Sequence, residues 1–134
     1  MARKTSVVTI TEEGRDQGKI FQLTEMSATQ TEKFATRLFL AMAKSGLEIP
    51  DGLAQSGIAG LASLGLKALA GINFIEAEPL LDEMMICIKI IPDASRPEVV
   101  RALVESDIEE ITTRLLLRKE LFYLHVNFSR PVTH

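Results

Sequence analysis

The fold class depends on residues 53–75, LAQSGIAGLASLGLKALAGINFI, a run with a single charged side chain, Lys67. A helix of this length is long enough to cross the hydrocarbon core of a bilayer, which is about 30 Å thick. Its many small residues are also typical of a helix that packs closely against other helices of a water-soluble protein. The two readings predict different folds and different functions.

The distribution of side chains around that helix favours the soluble reading. A membrane span is apolar all round, and a lysine near its centre costs about 3 kcal/mol on insertion scales. On a helical wheel a glycine-bearing apolar side lies opposite a weakly polar side centred on Lys67. The apolar side holds Ile58, Leu61, Ala62, Gly65, Leu69 and Ile72. A small membrane protein of the lysis type is the alternative that rests on this run.

Composition predicts one domain with an ordinary core. The chain has 134 residues, of which 46% are hydrophobic and 25% charged. We predict a single domain over 1–134, with an ordered part at about 5–128 and a flexible tail at 129–134. A net charge of −3 and a pI near 5.4 argue against a nucleic-acid surface. The single Cys87 has no partner for an internal disulfide and is expected to be a buried, inert thiol.

The N-terminal part predicts a β-hairpin. Residues 6–11 and 19–24 are β-branched or alternating stretches, and the segment 12–18 between them contains two glycines. The apolar side of this hairpin would hold Val8, Ile10, Phe21 and Leu23. Because an isolated hairpin is marginal in water, that side is expected to lie on a helix.

Helical patterns follow the hairpin. The first has capping spacing at Ser27 and Gln30, or at Thr29 and Glu32, and is expected to end at Gly46 and Pro50. Its apolar stripe is Phe34, Leu38, Ala41 and Met42, and Leu40 is left exposed. The 53–75 run supplies a second helix. A third, capped by Asn73 and Glu76, is predicted to run to about Ile90 with Ala77, Leu80, Leu81, Met84 and Ile88 on its stripe.

The last helix is predicted to begin at a capping box formed by Ser106 and Glu109, after a segment at 99–104 that is either a strand or an extended connector. The fold class predicted is therefore mainly α (α+β), an N-terminal β-hairpin packed on a bundle of about four helices. His125, near the end of the last helix, is interpreted as a charge partner of the helix C-terminus.

Two apolar stripes run along this last helix. One consists of Ile108, Ile111, Leu115, Phe122 and Val126, and the other of Leu117, Leu121, Leu124 and Phe128. A helix that is apolar on two sides is either central to the domain or shared with a partner. The second stripe, Leu117, Leu121, Leu124 and Phe128, is the candidate partner interface.

No motif of catalysis or metal binding is found in the sequence. The acidic residues Glu76, Glu78, Asp82 and Glu83 have no histidine at ligand spacing and do not converge on one helix face, so they are interpreted as a solvated flank. No nucleophile, base and orienting group can be named. We therefore expect no enzyme activity, no cofactor and no metal.

Four segments of the chain resemble the tail assembly chaperones of long-tailed bacteriophages. They are FQLTEMSATQTEKF at 21–34, GIAGLA at 57–62, EAEPLLDEM at 76–84, and the run 107–122, which opens with DIEEI and closes with LRKELF. The resemblance covers about residues 5–128 and is one of whole-segment pattern.

That resemblance implies a small, non-enzymatic, mainly helical protein of the host bacterial cytoplasm. Such a protein binds the tape measure protein, helps recruit the major tail protein and is absent from the mature virion. Many members are also made in a longer, frameshifted form. The chaperone function predicts that the chain either forms a homo-oligomer or binds a long helical partner through apolar helix faces. Contact with nucleic acid or membrane is not expected. The alternative function is a structural virion component, such as a head-to-tail joining or minor tail protein.

Overall fold

A computed structural model of the chain describes residues 3–46, 69 and 71–126. These residues form a mixed α+β structure with three helices and a four-stranded antiparallel sheet. The elements in chain order are β1 (Thr5–Thr9), β2 (Ile20–Thr24), α1 (Ala28–Lys44), α2 (Phe74–Ile86), β3 (Ile88–Ile91), β4 (Arg101–Ala102), a 3-10 turn (Glu105–Asp107) and α3 (Ile111–Val126).

The predicted hairpin is confirmed as the β1–β2 pair, and it belongs to a larger sheet of order β1-β2-β3-β4. In the register of the sheet, Val8 lies opposite Phe21 and Phe21 opposite Ile90. Ile10, Phe21 and Leu23 are buried and Val8 packs against them, as the alternation predicted. Helix α3 contacts both β1 and β2, so a helix does support the hairpin.

The predicted extension of the third helix to Ile90 is wrong. Helix α2 ends at Ile86, and residues 88–91 form β3, which pairs with β2 on one side and β4 on the other. Ile88, predicted on the helical stripe, is instead a buried residue of the sheet. A run of β-branched residues this short fits a strand as well as the end of a helix, so periodicity does not distinguish the two. Because β2 offers a free edge with which these residues can pair, they form a strand.

The first helix follows its prediction closely. The Ser27 hydroxyl accepts a hydrogen bond from the Gln30 N–H at 3.1 Å, so Ser27 is the N-cap. The helix stops at Lys44, and Gly46 adopts a φ of +79°, a left-handed conformation that glycine reaches without strain. The buried stripe is the predicted one, Phe34, Leu38, Ala41 and Met42, and Leu40 is exposed. Pro50 lies outside the described residues.

The core lies between the sheet and the helices. Its cluster joins Phe21 and Leu23 of the sheet to Met42 of α1, Leu80 of α2 and Leu121 of α3. The described part of the chain thus has three helices around a sheet, and it does not show a four-helix bundle. The second predicted helix falls almost entirely outside the described residues. Among those that are described, no helix is long and apolar enough to cross a membrane.

Candidate functional site

Two of the four residues of the candidate partner interface are buried in this structure. Leu117 is 0% and Leu121 1% exposed, and Leu124 is half-buried against the same core. Phe128 lies outside the described residues. A partner could reach Leu117 and Leu121 only by opening the fold, so this stripe corresponds to the alternative in which α3 is the central helix of the core. Ile111 and Leu115, two exposed apolar side chains of α3, belong to the other stripe.

The N-terminus of α3 is held by a carboxylate from the loop between β1 and β2. Asp16 accepts hydrogen bonds from the backbone N–H of Glu109 at 2.9 Å, the N–H of Glu110 at 2.9 Å and the hydroxyl of Thr113 at 2.7 Å. Lys19 Nζ donates to the same carboxylate at 3.0 Å. Burial opposes ionisation of Asp16, but these hydrogen bonds outweigh it and lower its pKa well below the ordinary value.

This arrangement corrects the predicted start of the last helix. Ser106 and Glu109 do not form its capping box, since the helix begins at Ile111 and Ser106 lies in the preceding 3-10 turn. The cap comes from Asp16, which the sequence places far away. A buried carboxylate at the positive end of a helix satisfies backbone donors that would otherwise be unpaired.

A second carboxylate, that of Asp107, holds the segment that leads into α3. Asp107 accepts two hydrogen bonds from the Arg101 guanidinium, both at 2.8 Å, and one from the N–H of Val104 at 2.7 Å. The hydrogen bonds from Arg101 lower the pKa of Asp107. The Arg15 guanidinium forms an ion pair with the Glu110 carboxylate, at 3.1 Å between Nη2 and Oε1. These charged groups are engaged with one another, so their role is to join the β1–β2 loop and β4 to the start of α3.

A groove lies beside this polar network, between the end of α2 and the start of α3. It has a volume of about 330 Å³ and is open to solvent. Its lining is mainly apolar, with three charged side chains. The lining residues are Met85, Ile86, Ile88, Lys89, Ala102, Leu103, Val104, Glu105, Ile108 and Arg114.

Large apolar side chains are exposed at this groove and on the adjoining turn of α3. Ile86, at the end of α2, is 77% exposed, and Val104 is also exposed. On α3, Ile111 is 72% and Leu115 57% exposed. Residues four apart on a helix are neighbours on its surface, so Ile111 and Leu115 form a short apolar ridge next to Arg114. We call Ile86, Val104, Ile111 and Leu115 the groove patch. Their exposure makes it the candidate site.

The sequence shows the apolar residues of this patch on α3, but their spacing does not indicate that they are exposed. Ile111 and Leu115 were both assigned to a stripe of the last helix, and so was Ile108, which does line the groove. A helical wheel identifies two apolar stripes without saying which one faces the sheet. Contact with β1 and β2 settles that Leu117 and Leu121 face inward.

Of the four acidic residues of α2, interpreted as a solvated flank, two are exposed and two are partly buried in ion pairs that tie α2 to α1. Glu83 pairs with Arg37, and Glu76 pairs with Lys44 at 3.0 Å. Glu78 and Asp82 are exposed. Within the described ranges, no group of histidine, cysteine and carboxylate side chains could hold a metal ion.

The remaining titratable residues of interest have structural roles. Cys87 is half-buried, and burial raises the pKa of its thiol to about 11, in line with the inert thiol predicted.

The interpretation of His125 as a charge partner is wrong. Its Nε2 accepts a hydrogen bond from the Met26 N–H at 2.8 Å, which requires a neutral ring with the proton on Nδ1, 2.9 Å from the Leu121 carbonyl oxygen.

No family model, no curated protein and no solved structure matches this chain.

Proposed function

We propose that this chain is a non-enzymatic phage tail assembly chaperone, which binds the tape measure protein and helps recruit the major tail protein in the host bacterial cytoplasm. The observation that carries the proposal is the groove patch, where Ile86 and Val104 stand exposed in the lining of an apolar groove and two more large apolar side chains stand exposed on the adjoining turn of α3. Clusters of this kind on a soluble protein mark sites where another protein binds.

The shape and charge of the groove indicate the kind of segment that would bind there. The groove lies between two helix ends, and the ridge of Ile111 and Leu115 adjoins it, which suits an amphipathic helix that lays its apolar face on the patch. Lys89 and Arg114 outnumber Glu105 among the charged lining residues. A helix of the tape measure protein whose apolar stripe is flanked by acidic residues would complement both features.

A double substitution tests the assignment of the patch. Ile111→Glu with Leu115→Glu places two charges on exposed positions, so the far-ultraviolet circular dichroism and the thermal unfolding temperature should change little. Capture of the co-expressed tape measure protein should fall at least tenfold, because each buried apolar side chain contributes more than 1 kcal/mol.

Leu40→Glu is the matched control. Leu40 is an exposed leucine of similar accessibility, but it lies on α1, on a different face of the molecule. Capture should be unchanged in this variant. If Leu40→Glu abolishes capture while the double variant does not, the groove patch is not the binding surface.

Mass spectrometry of purified particles tests the chaperone assignment itself. A chaperone is absent from the mature virion, whereas a head-to-tail joining or minor tail protein is present in fixed stoichiometry. Detection of the chain at stoichiometric levels would replace the proposal by the structural alternative.

A further inference from the structure

The sheet has two edges, and they differ in how well they are protected from pairing with another strand. β4 is two residues long and carries the charged Arg101. β1 has five residues, Thr5–Thr9, with no charge among them, and the described sheet ends there. Native proteins usually blunt an exposed edge with charge, proline, a bulge or extreme shortness. β4 shows two of these devices, and β1 shows none.

The backbone groups on the free edge of β1 can be assigned from its pairing with β2. The Ile10 N–H donates to the Lys19 carbonyl at 2.9 Å, and the Glu25 N–H donates to the Lys4 carbonyl at 3.0 Å. In an antiparallel ladder a residue directs both its N–H and its C=O group to the strand on one side, and the next residue directs both to the other side. Thr5, Val7 and Thr9 therefore direct theirs away from β2, toward solvent.

We propose that two copies of this chain pair through β1, antiparallel and centred on Val7, so that their sheets join into one of eight strands. In this register Thr5 lies opposite the partner's Thr9, and Val7 lies opposite the partner's Val7. All three outward residues then find hydrogen-bonding partners. A register shifted by two residues in either direction leaves outward groups of both strands unpaired.

The charges that flank β1 complement each other in the same register. The strand is preceded by the exposed Arg3 and followed by the exposed pair Glu12 and Glu13. When two copies run antiparallel, Arg3 of one lies opposite the partner's Thr11, next to the acidic pair of the partner. This juxtaposition occurs twice in the dimer. It would not occur in a parallel pairing, where Arg3 would meet the partner's Arg3. Self-complementary charge is the reason for assigning this edge to a second copy.

Charge reversal tests the interface directly. Sedimentation equilibrium at low salt should show a dimer for the natural sequence. Arg3→Glu alone, and Glu12→Arg with Glu13→Arg, should each weaken dimerisation roughly tenfold or more, since each replaces two attractive contacts by repulsive ones. An equimolar mixture of the two variants should dimerise again, because each mixed pair restores attraction at both ends.

Two further variants keep the result interpretable. Val7→Pro removes an outward N–H without touching the ladder to β2, so it should leave a folded monomer by circular dichroism. Arg96→Glu makes the same charge change on the exposed loop between β3 and β4 and should leave the dimer intact. A monomeric natural chain at high micromolar concentration overturns the proposal. So does a dimer that persists in Val7→Pro, or a mixture that fails to recover association.

Discussion

The hydroxyl of Thr113 donates a hydrogen bond of 2.7 Å to the carboxylate of Asp16, across a sequence separation of 97 residues. Asp16 is 1% exposed, and it also accepts from two backbone N–H groups that precede α3. The β1–β2 loop is thereby fastened to the start of the central helix. The position of that helix sets the groove beside it, so the carboxylate contributes indirectly to the shape of the candidate site.

Asp16→Asn should destabilise the fold by about 3 kcal/mol, because it leaves charged and backbone donors poorly satisfied in a buried position. Urea unfolding followed by circular dichroism measures this free energy. Glu98→Gln, an exposed change on the loop between β3 and β4, is the control and should cost less than about 0.5 kcal/mol. Equal costs for the two variants would show that Asp16 does not cap α3.

Stability should decrease in acid. The pKa values of Asp16, Asp107 and Glu110 are lowered in the folded protein by their hydrogen-bond donors. In the unfolded chain these carboxylates have ordinary pKa values, so the unfolded state binds more protons as the pH falls. Their contribution is therefore fully present above about pH 5 and is lost progressively below it.

Thermal unfolding between pH 3 and pH 7 measures this effect, and Asp16→Asn should flatten the acid side of the curve. A midpoint temperature that rises as the pH falls below about 4 would contradict the assigned direction of the shifts.

Truncation should destabilise the protein far more at a core position of α3 than at a surface position. Leu121→Ala removes a fully buried side chain and should cost about 3 kcal/mol of unfolding free energy. Ile111→Ala, at an exposed position of the same helix, should cost less than about 0.5 kcal/mol. Denaturant unfolding of both variants is the measurement. If Leu121→Ala cost less than Ile111→Ala, the second stripe would lie on the surface, as a partner interface requires.

Much of the fold could be predicted from the sequence where a local pattern determines it. The β1–β2 hairpin and the buried stripe of α1 follow from periods of two and about 3.6, and the Ser27 cap follows from spacing. β3 was missed because IKII fits a strand or a helix end equally well, and only pairing with β2 decides. The start of α3 was missed because its cap is distant in sequence. The groove patch was missed because periodicity does not say which of two stripes is covered.

The ring of His125 should be found in one tautomer. Its Nε2 accepts from the Met26 N–H, so the proton resides on Nδ1 and faces the Leu121 carbonyl oxygen. Long-range proton–nitrogen correlation spectra of the imidazole should show a protonated Nδ1 and an unprotonated Nε2. His125→Phe keeps an aromatic ring, somewhat larger than imidazole, but removes the acceptor, and should cost about 1 to 3 kcal/mol. A spectrum with the proton on Nε2 would rule out the contact with Met26.

Cys87 should react slowly with alkylating agents while the protein is folded. Burial raises the pKa of its thiol to about 11 from an ordinary value of 9.0, and the nearby Glu83 adds to the shift. Because the thiolate is the reactive form, its population near pH 8 falls about a hundredfold relative to an exposed cysteine. Iodoacetamide labelling followed by mass spectrometry should therefore be at least that much slower in buffer than in denaturing urea. Because the Asp16→Asn variant is less stable, it should label faster than the natural sequence in the same buffer. Labelling at equal rates in buffer and in urea would place the thiol on the surface.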